Sequence, residues 1–268
     1  MLRQDLITTA LAARGTNIAD VIAYDITDST NTRAKEYAVS HPDIQNPVLF
    51  VADSQSGGRG RMGKSFHSAR GAGIYMSLLI KPCDTGNIPT RLTAFAAVVL
   101  ARAIERITGL QADIKWVNDI YSKGKKLAGI LAEGVMTQDG KIPYFVLGMG
   151  INVYKTAYPD DISDIATSIE ESSGVRALRE ELIAEIVSQL ITGLDDIDSD
   201  EVYREYIRRD IVSGRDITVI NGNESYPARA LGITRDFSLL VERPDGSRST
   251  LFSGEISTKI NTRINKEN

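Results

Sequence analysis

Hydrophobic positions along this chain fall into short unbroken runs in its first half, helical repeats in its middle and tight alternation near its end. Val48 to Asp53 (VLFVAD) and Ile74 to Ile80 read as buried strands, as do Leu127 to Glu133 and Tyr144 to Val153, separated by a turn around Asp139-Gly140. Residues 1 to 14 pattern as a short amphipathic helix ended by Gly15. Asp28-Ser29-Thr30-Asn31 concentrates helix-capping side chains ahead of a helix over Thr32 to Val39. Capping occupies one of those side chains and leaves the others for a ligand, and pattern alone leaves both uses open. Arg91 to Thr108 reads as a long Ala- and Leu-rich core helix stopped by Gly109. Asp113 to Tyr121 reads as a strand that ends in polar residues, with a turn over Ser122 to Lys126. In Gly148-Met149-Gly150 the expected feature is a β-bulge, with close approach of a ligand to the backbone as the other reading.

Further along, Leu182, Ile183, Ile186, Val187 and Leu190 recur at helical spacing, and a second helix is expected over Asp200 to Arg209. The pattern then changes. Ile217 to Ile220, Tyr226 to Ile233, Ser238 to Arg243 and Arg248 to Phe252 are short strands, joined by Asn221-Gly222 and Pro244-Asp245-Gly246 turns. They predict a small β-barrel appended to a larger unit, with domains at 1–212 and 213–268 and the boundary near Val212. Together the elements predict an α+β fold built on a mixed, largely antiparallel sheet with flanking helices.

A chain of 268 residues with 42% hydrophobic and 25% charged content can bury a sizeable core. Its net charge of -4 supplies no global basic field, so neither nucleic acid nor an anionic membrane is an expected partner. Cys83 is the single cysteine, which excludes an intrachain disulfide and a cysteine-based zinc site and fits a cytoplasmic location. His41 and His67, the two histidines, are too few for a histidine-rich metal centre. MLRQDLITTALAARG at the start lacks the apolar core of a signal peptide or membrane span.

The candidate chemistry begins in GRGRMGKS, Gly58 to Ser65, which matches both the dinucleotide-binding and the P-loop phosphate patterns. Both patterns need a helix directly after the loop, whose N-terminal N–H groups hold phosphate. Here the next residues are glycine-broken and lead into another strand, so both readings lose their structural basis. What remains is an anion-binding loop of another kind, or a solvated surface loop: glycines let backbone approach a ligand while Arg59, Arg61 and Lys64 bring charge.

GRGRMG at Gly58 to Gly63, KWVND at Lys115 to Asp119, KLAGIL at Lys126 to Leu131 and GMGINV at Gly148 to Val153 together resemble the biotin protein ligases. DSTN at Asp28 to Asn31 and SGEIS at Ser253 to Ser257 match as well, so the resemblance covers nearly the whole chain. The family usually carries proline at Val117, often tryptophan at Phe66 and arginine at Met62. The resemblance implies a class II aminoacyl-tRNA synthetase/biotin ligase-like fold with a small SH3-like C-terminal barrel. It also implies a short form without an N-terminal DNA-binding domain.

The implied activity has two steps. Biotin carboxylate attacks the α-phosphate of ATP to give biotinyl-5′-AMP and pyrophosphate, and a lysine of a biotin carboxyl carrier domain, part of a biotin-dependent carboxylase, then takes the biotinyl group. Lys126, Arg61 and Arg59 are the implied catalytic cations, Lys126 bridging the two reacting anions. Implied biotin contacts are Ser29, Thr30, Asn31, Gln55, Gly58, Arg59, Arg61, Trp116, Lys126, Gly129 and Leu131. From its residue type Trp116 reads most simply as a core residue beside the site, with packing on biotin as the other reading. Implied ATP contacts are Arg61, Met62, Lys64, Phe66, Asn118, Asp119 and Asn152. Asp119 is the implied Mg²⁺ ligand, and orienting the carrier lysine is its other implied role. A homodimer is a further implication. Competing readings are a lipoate ligase on the same fold and a non-catalytic biotin- or nucleotide-binding module.

Overall fold

The computed structural model describes residues 1–81, 88–137, 140–221, 224–252 and 255–258. Cys83, Asp139 of one expected turn, Gly222 of another, and Ser253 and Gly254 of the SGEIS block lie outside the described residues. In chain order the elements are α1 (Gln4–Ala13), β1 (Asp20–Thr27), α2 (Thr30–Ser40), β2 (Val48–Gln55), β3 (Gly73–Ile80), α3 (Ile88–Thr108), β4 (Asp113–Lys115), β5 (Asp119–Ser122), β6 (Lys125–Val135) and β7 (Tyr144–Asn152). There follow α4 (Ile169–Ser173), α5 (Arg179–Thr192), α6 (Asp200–Arg209), β8 (Asp216–Asn221), β9 (Glu224–Ile233), β10 (Leu239–Glu242), β11 (Arg248–Leu251) and β12 (Glu255–Thr258).

Seven strands form the central sheet in the order β1-β2-β3-β7-β6-β5-β4. Only β1 and β2 run parallel, joined through α2; the remaining neighbours are antiparallel. The expected α+β architecture is therefore present, with β1 as a strand the sequence reading did not name. Alternation sorts the side chains of each strand between two faces. Leu49 and Val51 of β2 and Leu147, Met149 and Ile151 of β7 join the main core under α3 and α5, whereas Val48, Phe50, Tyr144 and Val146 pack beneath α2 in a second cluster. Ala94 to Ala101 of α3 are buried without exception among the apolar positions, because small side chains let this long helix lie close on the sheet.

Two expectations are corrected. Residues 113–121 are a hairpin, not one strand: Asp113 pairs with Tyr121 and Lys115 with Asp119, leaving Trp116, Val117 and Asn118 as the connection. The Trp116–Val117 peptide is cis. Nor is Gly148-Met149-Gly150 a bulge, since β7 pairs in unbroken register with β3 on one side and β6 on the other.

The C-terminal strands form an antiparallel sheet in the order β11-β10-β9-β8-β12, in keeping with an SH3-like unit. Among the described residues its edge strands β11 and β12 are not paired to each other, so the sheet is not closed by hydrogen bonds. Ala230, Leu239 and Val241 belong to the same apolar cluster as α3, and Trp116 Nε1 donates to Phe237 O at 2.8 Å. Helix α6 joins the two sheets. It is amphipathic, burying Val202, Tyr206 and Arg209 at helical spacing. Arg209, 4% exposed, donates to Glu105 of α3 at 2.5 and 2.8 Å, to Glu205 at 2.7 Å and to Ala112 O at 2.8 Å.

Arg209→Ala would leave two carboxylates facing each other in a half-buried seam. The expected cost is about 3 kcal/mol, the low end for breaking a buried ion pair because Glu105 is partly solvated, read as a lower urea midpoint. The hydrogen bond from Arg209 holds the Glu105 carboxyl below its ordinary value, although burial opposes this. A carboxyl depressed in the folded state stabilises above its unfolded pKa of about 4.3 and loses that contribution as pH falls through the folded value. Acid unfolding of the variant should therefore be less steep below about pH 4.3 than that of the parent chain.

Candidate active site

On the α2 side of the sheet lies a cavity of about 550 Å³, floored by β6 and β7 and roofed by the glycine loop between β2 and β3. Alternation explains much of its floor: Gly148, Gly150 and Asn152 of β7 and Gly129 and Leu131 of β6 line it, while Ala128 and Ile151 are fully buried in the core and Ile130 and Met149 are core residues that also reach the cavity. Lys126 would fall on the core face by the same count. It does not, because the β5–β6 register shifts: Ile120 pairs with Ala128 but Tyr121 with Lys126, leaving Leu127 as an extra residue on β6. That bulge sends Leu127 into the core and Lys126 into the cavity. Lys126 Nζ then meets Asp119 Oδ1 at 2.7 Å.

At the β3–β7 end, the floor is a buried polar network. Gln55 Oε1 accepts from Thr30 N at 2.8 Å and lies 3.2 Å from Thr30 Oγ1. Ser77 Oγ lies 2.7 Å from Thr30 Oγ1 and donates to Asn31 Oδ1 at 2.5 Å. Asn31 Nδ2 donates to Glu133 Oε2 at 2.7 Å, and Lys35 closes the chain on Glu133 Oε1 at 2.6 Å. Burial alone would raise the Glu133 carboxyl, but the bonds from Asn31 and Lys35, with the charge of Arg59, hold it below its ordinary value. Ser29 sits at the start of α2 without a side-chain capping bond, so capping does not engage its hydroxyl. Gly148 is needed here: a Cβ at that position would lie 2.1 Å from Asn31 Oδ1. At Gly150 the same atom would meet the Phe66 ring at 2.5 Å. Both glycines admit protein side chains that themselves line the cavity.

The loop joins strand to strand, as its sequence context required. It folds on itself through the Arg59–Ser65 bridge and Gly60 N→Lys64 O at 2.7 Å, with Met62 at φ 54° and Gly63 at φ 75° turning the chain. Arg61 Nη1 donates to Asn118 Oδ1 at 3.0 Å, tying the loop to the β4–β5 hairpin. Asn118 Nδ2 in turn reaches Asp119 Oδ1 and Ile130 O, and Tyr206 OH lies 3.4 Å from Val117 O. Trp116 is a core residue, 3% exposed, that also lines the cavity.

Ser29, Thr30, Asn31, Gln55, Arg59, Arg61, Met62, Lys64, Phe66, Trp116, Asn118, Asp119, Lys126, Gly129, Leu131 and Asn152 all line this cavity. Gly58 alone among the expected residues does not. A Cβ there would lie 2.5 Å from Phe66 O, so Gly58 shapes the loop rather than the cavity wall. Sequence reasoning missed Ser77, a polar residue in an apolar strand, and Glu133, whose strand parity with Gly129 and Leu131 would have placed it. It also missed the segment after β7, which brings Tyr158, Asp161, Ile162 and Ile165 to the cavity. This segment is seated by Lys126 N→Ile165 O at 2.7 Å and Thr167 N→Lys126 O at 2.9 Å. Burial, aided by Glu171, pushes the Tyr158 hydroxyl up to about 12.

Among the described residues no three His, Cys, Asp or Glu side chains gather as a metal cage. Asp119 and Asp161 are the carboxylates that line the cavity. That donor set fits Mg²⁺, which takes one or two carboxylates and completes its shell with water and substrate phosphate. No helix among the described residues is long and apolar enough to cross a membrane.

Residues 23–152 match the model of the biotin/lipoate A/B protein ligase family. The bifunctional ligase/repressor BirA of Bacillus spizizenii is 32% identical over 250 residues, 88% of this chain and 73% of that protein. Biotin--[acetyl-CoA-carboxylase] ligase of Mycobacterium tuberculosis is 33% identical over 165 residues, covering 59% of this chain and 57% of that one. The biotin protein ligase of Aquifex aeolicus, solved in complex with biotin and ATP, superposes with a TM-score of 0.75 at 26% identity, covering 90% of this chain and 98% of its own. A relative that similar across most of both chains, together with a cavity assembled from the glycine loop, the β4–β5 hairpin, β6 and β7, makes this chain a member of the biotin protein ligase family.

Proposed function

We propose that this protein activates biotin with ATP to biotinyl-5′-AMP and transfers the biotinyl group to a lysine of a carboxyl carrier domain. The observation that carries the proposal is the convergence of Lys126, Arg61 and Arg59 over one cavity beside a neutral, hydrogen-bonding polar floor. Biotin's ureido ring is uncharged and wants donors and acceptors, which the Ser29, Thr30, Asn31 and Gln55 group offers. Its carboxylate must instead approach a triphosphate against like-charge repulsion, and this requires preorganised cations. Residues 1–212 would carry this chemistry and 213–268 would form the appended unit that holds the hairpin.

In this mechanism Lys126 is paired with Asp119 and lies over the floor at Gly129, where an added Cβ would come to 3.4 Å from its Nζ and Cε. The ammonium follows negative charge from the carboxylate to phosphorus as the bond forms. Arg61, fixed by Asn118, holds a phosphate oxygen, and Arg59 closes with the loop to exclude water from the anhydride. Phe66, Asn152 and Ile165 form the less charged wall suited to adenosine. Mg²⁺, bound with ATP, supplies charge neutralisation, with Asp119 as its protein ligand, directly or through water.

The decisive test is exchange of labelled pyrophosphate into ATP with biotin or lipoate and no carrier present. Biotin-dependent exchange is expected; exchange with lipoate alone would reassign the substrate, and binding of biotin without exchange would indicate a non-catalytic module. Lys126→Ala should slow exchange by about 10² to 10³-fold or more with an unchanged urea midpoint, and a normal rate would remove its assigned role. Gly148→Ala should push Asn31 out of the floor. The expectation is a roughly tenfold rise in KM for biotin, little change in KM for ATP, and a loss of about 1 to 3 kcal/mol in stability from overpacking.

A further inference from the structure

We infer that Lys115 is the cation that receives the pyrophosphate leaving group. The inference rests on the function proposed above and concerns a residue outside the cations assigned there. Lys115 lines the same cavity as Lys126 and Arg61. It is the cross-strand partner of Asp119 on β4, and directly paired residues of an antiparallel ladder project from the same face. That face is the cavity side, because Asp119 uses it to reach Lys126. Lys115 Nζ is carried 5.6 Å over the ring of Tyr121, another cavity residue, which supports the ammonium from below.

Displacement at phosphorus fixes the direction. The attacking and leaving oxygens lie roughly in line, so pyrophosphate departs on the side opposite the carboxylate. Biotin's polar floor lies at β2, β3 and β7, and the sheet continues in the order β7-β6-β5-β4. With Lys126 on β6 at the reacting centre, the line of departure runs over β5 to β4. Strands are spaced about 4.8 Å apart, so β4 lies about 10 Å beyond β6, a gap that a diphosphate and the long Lys115 side chain span together. The apolar wall, Phe66, Tyr158, Ile162 and Ile165, lies with the glycine loop and the segment after β7 and is unsuited to a polyanion. Departure breaks the bond from the α-phosphorus to its bridging oxygen, and the electron pair leaves on pyrophosphate. Lys115 stabilises that charge as it develops while retaining its protons.

The test uses the full chain with Lys115→Gln and Lys115→Arg. In pyrophosphate–ATP exchange, Lys115→Gln should raise KM for pyrophosphate by about 10- to 100-fold, the range for a lost charge-assisted hydrogen bond, with KM for biotin near the parent value. Lys115→Arg should restore most of the loss. Transfer from synthetic biotinyl-5′-AMP to a carrier lysine, a step without pyrophosphate, reports whether the site is intact in the variant. Equal losses in exchange and in transfer, or no rescue by arginine, would make Lys115 a packing residue and overturn the inference. An active parent chain with unchanged pyrophosphate KM in Lys115→Gln would overturn it alone. A parent chain inert toward biotin and ATP would overturn the proposed function as well.

Discussion

Everything at this site depends on which face of a strand a side chain takes. β6 contributes Gly129 and Leu131 to the cavity by simple alternation, and Lys126 reaches the same face only because Leu127 bulges into the core. Leu127 is fully buried, so apolar burial of about 1.5 to 3 kcal/mol holds the bulge in place. The position of the central cation is thus set by packing on the opposite side of the sheet. The Asp119 ion pair then chooses where within the cavity the ammonium rests.

A second level of organisation divides the cavity by charge. The α2 end is built from neutral donors and acceptors whose bonds lead inward to one paired carboxylate, Glu133, whereas the hairpin and loop end gathers Arg59, Arg61, Lys64, Lys115 and Lys126 around Asp119. Under the proposed function a neutral heterocycle and a polyphosphate would meet different surroundings within one cavity and would join at Lys126. Buried polar networks that are satisfied by their own members stay rigid, which favours preorganisation over rearrangement on binding.

The hairpin carrying Asn118 and Asp119 is fastened from behind. Trp116 donates to Phe237 of the C-terminal sheet, Tyr206 of α6 packs on Phe237 with ring centroids 5.3 Å apart, and Arg209 holds Ala112 at the foot of β4. The small C-terminal sheet is thereby part of the framework that aims the site, and Ile256 of β12 also reaches the cavity wall.

Much of this was legible in the residues. Long apolar runs such as VLFVAD and YFVLGMGIN specify buried strands by their continuity, α3 and α5 by their helical period, and the glycine loop's failure as a phosphate loop by the strand that follows it. Residue types alone left the glycine loop open between anion binding and a solvated surface, and it was the resemblance of several motifs in register that pointed to the chemistry. What tertiary structure alone decided were features that depend on contacts distant in sequence. A hairpin at 113–121 follows from pairing rather than local propensity, and a bulge at Leu127 exists only against β5. Gly148 and Gly150 are small because Asn31 and Phe66, more than 80 residues earlier in the chain, occupy the space a Cβ would fill. Sequence determined which groups were available; packing determined which of them share a face, since a strand's alternation is local but the partner that shifts its register is not.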